Sequence, residues 1–89
     1  MKPFFIECSV GELKYLRGDL VVNKSVNLSL CQAVSKDRLR WYPDNTGLPS
    51  INFKMMSEKN EVVWAYKTEQ ERDKDYKMII NNKFLERVE

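Results

Sequence analysis

Histidine is absent from the 89 residues. That absence excludes Ser-His-Asp and Cys-His catalysis within the chain, Cys2His2 zinc sites and any imidazole pH switch. Charge of one sign is also lacking. Fifteen Lys and Arg stand against thirteen Asp and Glu, a net charge of +2. So small a balance does not by itself point to nucleic acid or a membrane surface. Long apolar runs are missing too. The apolar run at the start, Phe4-Phe5-Ile6, is far shorter than the roughly seven residues a secretory signal needs. Nothing approaches the roughly 20 apolar residues of a transmembrane helix. The chain is expected to be cytoplasmic, with no membrane partner. In that compartment Cys8 and Cys31 are expected as reduced, buried thiols, a disulfide between them being the alternative.

The chemistry-bearing motifs are likewise missing. There is no Walker A loop, dinucleotide fingerprint, nucleophile elbow or Cys-x-x-Cys pair. Neither cysteine has a histidine to activate it. No enzyme activity, cofactor or metal is expected. The acidic stretch Glu69-Gln70-Glu71-Arg72-Asp73-Lys74-Asp75 resembles a carboxylate cluster. Glu71 and Asp75 stand four apart and could share an ion, but basic neighbours can pair with them, and a solvated helix start accounts for the whole segment.

Apolar residues make up 43% of the chain, enough for one globular domain over residues 1–89. Residues 4–10 and 20–22 suit a pleated surface and read as strands, while residues 12–17 fit a strand or a short helical turn. Val26, Leu28 and Leu30 alternate with polar residues, an extended half-buried stretch; residues 31–35 continue it or form a helical turn, and Lys36-Asp37 reads as a turn. Residues 38–42, 50–56 and 62–67 then alternate as three strands of a meander. The segment from Pro43 to Pro49 between the first two is dense in Pro, Asn, Asp and Gly and is expected to be a loop.

After Lys67 the period changes. Thr68 and Glu71 match a capping box, and Tyr76, Ile79, Ile80, Phe84 and Val88 form an apolar stripe. A helix is predicted from about Glu69 to at least Ile80, with Asn81-Asn82 as a potential end. The fold class is therefore α+β: an antiparallel sheet, a meander of three or more strands, with one C-terminal helix packed on one face.

Alternation assigns Leu39, Trp41, Ile51, Phe53, Met55, Val62, Trp64 and Tyr66 to the helix-facing side of the meander. Trp41 and Trp64 are expected to be core. The opposite face would carry Arg38, Arg40, Tyr42, Lys54 and Lys67, together with Asn52, Met56, Val63 and Ala65. Cations with an aromatic are a minimal footprint for single-stranded nucleic acid, and equally a solvated sheet face. No aromatic ribonucleoprotein pattern, zinc knuckle or KH-type loop accompanies it. Aromatics beside the loop, with Arg40, Trp41, Tyr42 and Asn45, are the alternative recognition surface, directed at a protein. A third alternative is a homodimer through the edge of the first strand.

The order of strands around Trp41-Tyr42-Pro43-Asp44-Asn45, Ser50-Ile51-Asn52-Phe53 and Trp64-Ala65-Tyr66, then a Thr68-Glu69-Gln70-Glu71-Arg72-Asp73-Lys74-Asp75-Tyr76 helix start, resembles small uncharacterised bacterial and prophage-type proteins. The likeness spans roughly residues 20–80. It implies a small accessory protein and carries over no activity or functional residue.

Overall fold

A computed structural model describes residues 5–14, 18, 20–41, 46–56 and 61–88, the side chains at 40, 41, 46 and 82–88 excepted. Seven strands precede one helix: β1 (Phe5–Ile6), β2 (Leu13–Lys14), β3 (Leu20–Val21), β4 (Val26–Asn27), β5 (Cys31–Trp41), β6 (Thr46–Met55), β7 (Val62–Ala65) and α1 (Glu69–Val88). The main sheet is the antiparallel meander β5-β6-β7. Two short antiparallel pairs, β1-β4 and β2-β3, accompany it. The chain is α+β, as its patterning predicts.

The main sheet is covered on both faces. On one, Ile51, Phe53, Trp64 and Tyr66 are wholly buried, with Ile6, Cys8, Val26 and Leu28 from the first half of the chain and Ile79 from α1. Phe53 and Trp64 meet edge to face at 4.7 Å, a geometry favoured by the ring quadrupoles. On the other, Leu48, Ala65 and the half-buried Leu39 pack against Leu13 and Val21 of the β2-β3 pair. Leu13 and Val21 are register partners and so share a face; the next pair, Lys14 and Leu20, points to solvent.

Three expectations are corrected. Lys36-Asp37 is not a turn but the middle of β5, an eleven-residue strand. Thr46-Gly47-Leu48-Pro49 is not loop: β6 begins at Thr46, and Gly47 and Pro49 lie inside it. Pro49 is tolerated because of where its nitrogen points. Its carbonyl accepts the Tyr66 amide at 2.8 Å, and in an extended residue N and O point the same way. The missing donor therefore falls just past the end of the β7 ladder, which stops at Ser50 opposite Ala65. Leu28–Leu30 closes into a 3-10 turn rather than staying extended, with the Asn27 carboxamide accepting the Ser29 amide at 3.0 Å. Tyr42, expected to end a strand, and Pro43–Asn45 of the predicted loop lie outside the described residues.

The capping box forms with one leg altered. The Glu71 amide donates to the Thr68 hydroxyl at 3.2 Å, and that hydroxyl donates to the Glu71 carboxylate at 3.1 Å. The helix continues through Asn81-Asn82 to Val88. Among the described residues no helix is long and apolar enough to cross a membrane.

The outer edge of β7 is capped at Ala65 by one side chain. Asn23 Oδ1 accepts the Ala65 amide at 2.9 Å, and its Nδ2 donates to the Ala65 carbonyl at 3.1 Å. The carboxamide thus stands where a neighbouring strand's peptide would. The same Nδ2 donates to the carbonyl of Gly11, whose φ of +60° is a conformation suited to glycine. Ala65 is wholly buried, so its amide would otherwise lack a partner. Asn23→Ala is expected to cost about 2 kcal/mol, and Asn23→Asp, which keeps the acceptor but sets a carboxylate oxygen against the Gly11 and Ala65 carbonyls, at least as much. Urea unfolding of both variants checks this; an Asn23→Ala midpoint equal to the wild type would mean the edge is closed otherwise.

Candidate functional site

The site begins with the parity of one strand pairing. In β5 and β6, Val34 faces Phe53, Lys36 faces Ile51 and Arg38 faces Pro49. Register partners share a face. Lys36 and Arg38 therefore lie on the helix face, while Leu39, opposite Leu48, lies on the β2-β3 face. This reverses the expected facing of β5. Its apolar residues change parity, Val34 serving one core and Leu39 the other, because both faces are covered.

The consequence for the expected basic face is direct. Lys54, opposite Ala33, lies on the β2-β3 face, away from Arg38. Lys67 lies beyond the end of β7. Arg40 is opposite Gly47, on Arg38's side of the sheet. The set Arg38, Arg40, Lys54 and Lys67 is thus divided rather than gathered. Of the protein-binding set, Arg40 and Trp41 are the last residues of β5, their side chains not described, and Tyr42 and Asn45 lie outside the described residues. Trp64, expected as core, is wholly buried, with its indole N–H donating to the Lys24 carbonyl.

What the fold brings together instead is β5 and the first half of α1. The Arg38 stem crosses Gly47 so closely that a Cβ there would fall on its Cγ and Cδ. Glycine permits that approach; a larger residue would oblige the exposed Arg38 side chain to shift. The guanidinium then donates to Glu69 at 2.8 Å and to the Gly47 carbonyl at 3.3 Å. Arg72 donates to Asp73 at 2.7 Å and to the Asp37 carbonyl at 3.0 Å. Lys36 Nζ lies 5.4 Å from the centroid of the Tyr76 ring and 3.8 Å from Asp73. These exposed ion pairs are worth at most about 1 kcal/mol each. They orient more than they stabilise.

Beside them runs a groove of about 350 Å³ lined by Lys36, Asp73, Tyr76, Lys77, Ile80 and Asn81. Tyr76 and Ile80, both on the predicted apolar stripe, are only half buried. Ile79 takes the core position, and its neighbours on the stripe are left to floor the groove. The other wall is an open strand edge: among the described residues no strand pairs with the outer side of β5. The Tyr66–Pro49 bond sets which β5 peptides face outward. Counting from it, Ala33, Ser35 and Asp37 bond β6, while the N–H and C=O groups of Val34 and Lys36 point away from the sheet. The Arg38 amide also points outward but is taken by the Asp37 carboxylate at 2.8 Å.

A second polar constellation is interior. Asp75 is 4% exposed, which corrects the expectation of a fully solvated helix start. Its Oδ2 accepts the Tyr66 hydroxyl at 2.6 Å and the Ser9 amide at 3.0 Å. It thereby ties α1 to the end of β7 and to the N-terminal segment. The available signal was its position four residues before Ile79, on the face that α1 buries. Burial holds the Tyr66 phenol well above its ordinary range, and Asp75 and then Cys8 beside it add to the rise. Cys8 and Cys31 are both buried, in the same core, and not bonded to each other. Among the described residues no three His, Cys, Asp or Glu are grouped to hold a metal.

No family model matches the chain, and no curated protein or solved structure is significantly similar to it.

The raised Tyr66 pKa has a definite sign for stability. The folded chain keeps this phenol protonated at a pH where the unfolded chain, with a phenol near 10.0, releases the proton. Above that pH the unfolded state binds fewer protons, so stability falls as pH rises, by up to about 1.4 kcal/mol per unit from this group. Tyr66→Phe is expected to remove that share of the slope. At neutral pH it is expected to cost about 1–3 kcal/mol, by leaving Asp75 with one hydrogen-bond donor fewer. Urea unfolding of wild type and variant between about pH 9 and about pH 11 checks both; identical slopes would contradict the assignment.

Proposed function

We propose that this chain is a small non-enzymatic interaction module that binds another protein by accepting an extended segment along the outer edge of β5, against α1. One observation carries the reading: the outward peptides of Val34 and Lys36 stand beside a groove floored by Tyr76 and Ile80. Both ingredients of strand-addition recognition are present. Backbone donors and acceptors give affinity, and a pocket beside them selects alternate side chains.

The contrast with β7 supports the reading. There the buried Ala65 peptide on the outer edge is capped by Asn23, one way in which edges are protected from pairing. At β5 the equivalent groups remain outward, guarded by cations rather than capped. The predicted recognition residues Arg40 and Trp41 continue the same strand, so a longer bound segment would pass them. A nucleic-acid surface draws no comparable support, since Arg38 and Lys54 point to opposite faces.

The test uses a substitution that removes the edge without touching the ladder. The Lys36 amide points away from β6 and its side chain is exposed, so Lys36→Pro removes an outward donor while sparing β5-β6 bonds. Peptides selected from a displayed random library on the full chain are expected to bind Lys36→Pro about tenfold more weakly or not at all. Circular dichroism checks that the variant is folded. Selected peptides that bind a folded Lys36→Pro chain as well as the wild type would overturn the reading.

A further inference from the structure

Resting on that reading, we infer that the segment this edge accepts is a short acidic one from a different protein, paired over Val34–Lys36 and held by Lys36 and Lys77. The backbone bounds the window. On one side the register shifts between Cys31 and Ala33, interrupting the ladder. On the other, the Arg38 amide is occupied by its own neighbour Asp37. The outward peptides between these limits belong to Val34 and Lys36, two positions apart on one edge. That is room for an extended segment of about three to five residues.

Charge selects what that segment carries. The groove walls hold two cations, Lys36 and Lys77, and one carboxylate, Asp73. Asp73 is held at 2.7 Å by Arg72, which does not line the groove, and at only 3.8 Å by Lys36. Lys77 has no carboxylate partner among the described residues. Arg38, the next cation along β5, is committed to Glu69. The charge left over beside the outward peptides is therefore positive. A carboxylate on the incoming segment would meet Lys36 and Lys77 while an apolar neighbour two residues away rests on Tyr76 and Ile80.

The same charges argue against a second copy as the occupant. Two β5 edges paired antiparallel over this short window would centre on Ser35 and make the two copies' Lys36 side chains diagonal neighbours on one face. Like charges set across a strand pair are destabilising, and edge lysines are a common guard against such pairing.

Fluorescence anisotropy of the full chain with two labelled peptides of about seven residues tests this, one carrying glutamate and valine in turn at every second position with serine between them, and one with lysine in place of each glutamate. The acidic peptide is expected to bind, more weakly as salt rises, and the basic one not. Lys77→Glu, an exposed position on α1, is expected to weaken the acidic peptide roughly tenfold, and adding Lys36→Glu to reverse the preference. If the two peptides bind alike, or the basic one better, while Lys36→Pro abolishes both, the acidic inference falls and the strand-addition reading stands. The acidic inference alone also falls if neither binds but library-selected peptides do so in a Lys36→Pro-sensitive way. If no peptide of any kind is sensitive to Lys36→Pro, both fall. Dimerisation at micromolar concentration in sedimentation, abolished by Lys36→Pro, would also overturn the inference by making a second copy the occupant.

Discussion

Pairing of β5 with β6 sets even positions of one strand against odd positions of the other, and this parity governs most of what the molecule presents. It puts Val34 with Phe53 and Ile51 in the helix-side core. It puts Leu39 with Leu48 under the β2-β3 pair. It also delivers Lys36 and Arg38 to the edge beside α1, where Asp73 and Glu69 meet them. A slip of one residue would exchange all of these at once, because side chains in a strand alternate with a period of two. The buried apolar residues on β6 and β7 make such a slip costly. Ile51, Phe53 and Trp64 are wholly buried, and exposing even one large apolar side chain costs roughly 1.5–3 kcal/mol.

Around that sheet the chain uses polar side chains as local substitutes for missing backbone. Asn23 stands in for a strand at β7. Asp75 gathers the Ser9 amide and the Tyr66 hydroxyl, joining three segments distant in sequence. Both contacts suit a fold with two very short strand pairs. A two-residue strand contributes little ladder of its own, so β1, β3 and the turns between them rely on such ties and on the apolar residues they carry. The tie at Asp75 rigidifies the start of α1, and α1 is one wall of the groove. Interior packing and the proposed binding surface are thereby linked through a single helix.

The two edges of the main sheet are treated differently, and the difference is the strongest indication of use. One is capped at Ala65 by a carboxamide that matches both polar groups of that buried residue. The other is eleven residues long, carries Lys36, Arg38 and Arg40, and keeps outward peptides next to a half-apolar groove. Cations on an open edge discourage self-association without blocking a segment of opposite charge. A surface of this kind discriminates by what it repels as well as by what it holds.

Much of this molecule was legible in the order of its residues. Hydrophobic alternation located the strands of the meander, Thr68 and Glu71 located the helix start, and Trp64 was legible as core. These are local signals, set by the period of a strand or helix and by the chemistry of its cap. The facing of β5 was not legible, because its apolar residues fall on both parities and only the two covering layers explain why. Gly47 and Pro49 suggested a loop; Gly47 pairs with Arg40 inside β6, and Pro49 is tolerated there because the β7 ladder ends beside it. Asp75 looked like a solvated acid until packing of Ile79 turned its side of α1 inward. The groove depends on all three outcomes. It is made by residues from segments about forty positions apart, and register and packing are properties of such pairs rather than of either stretch alone.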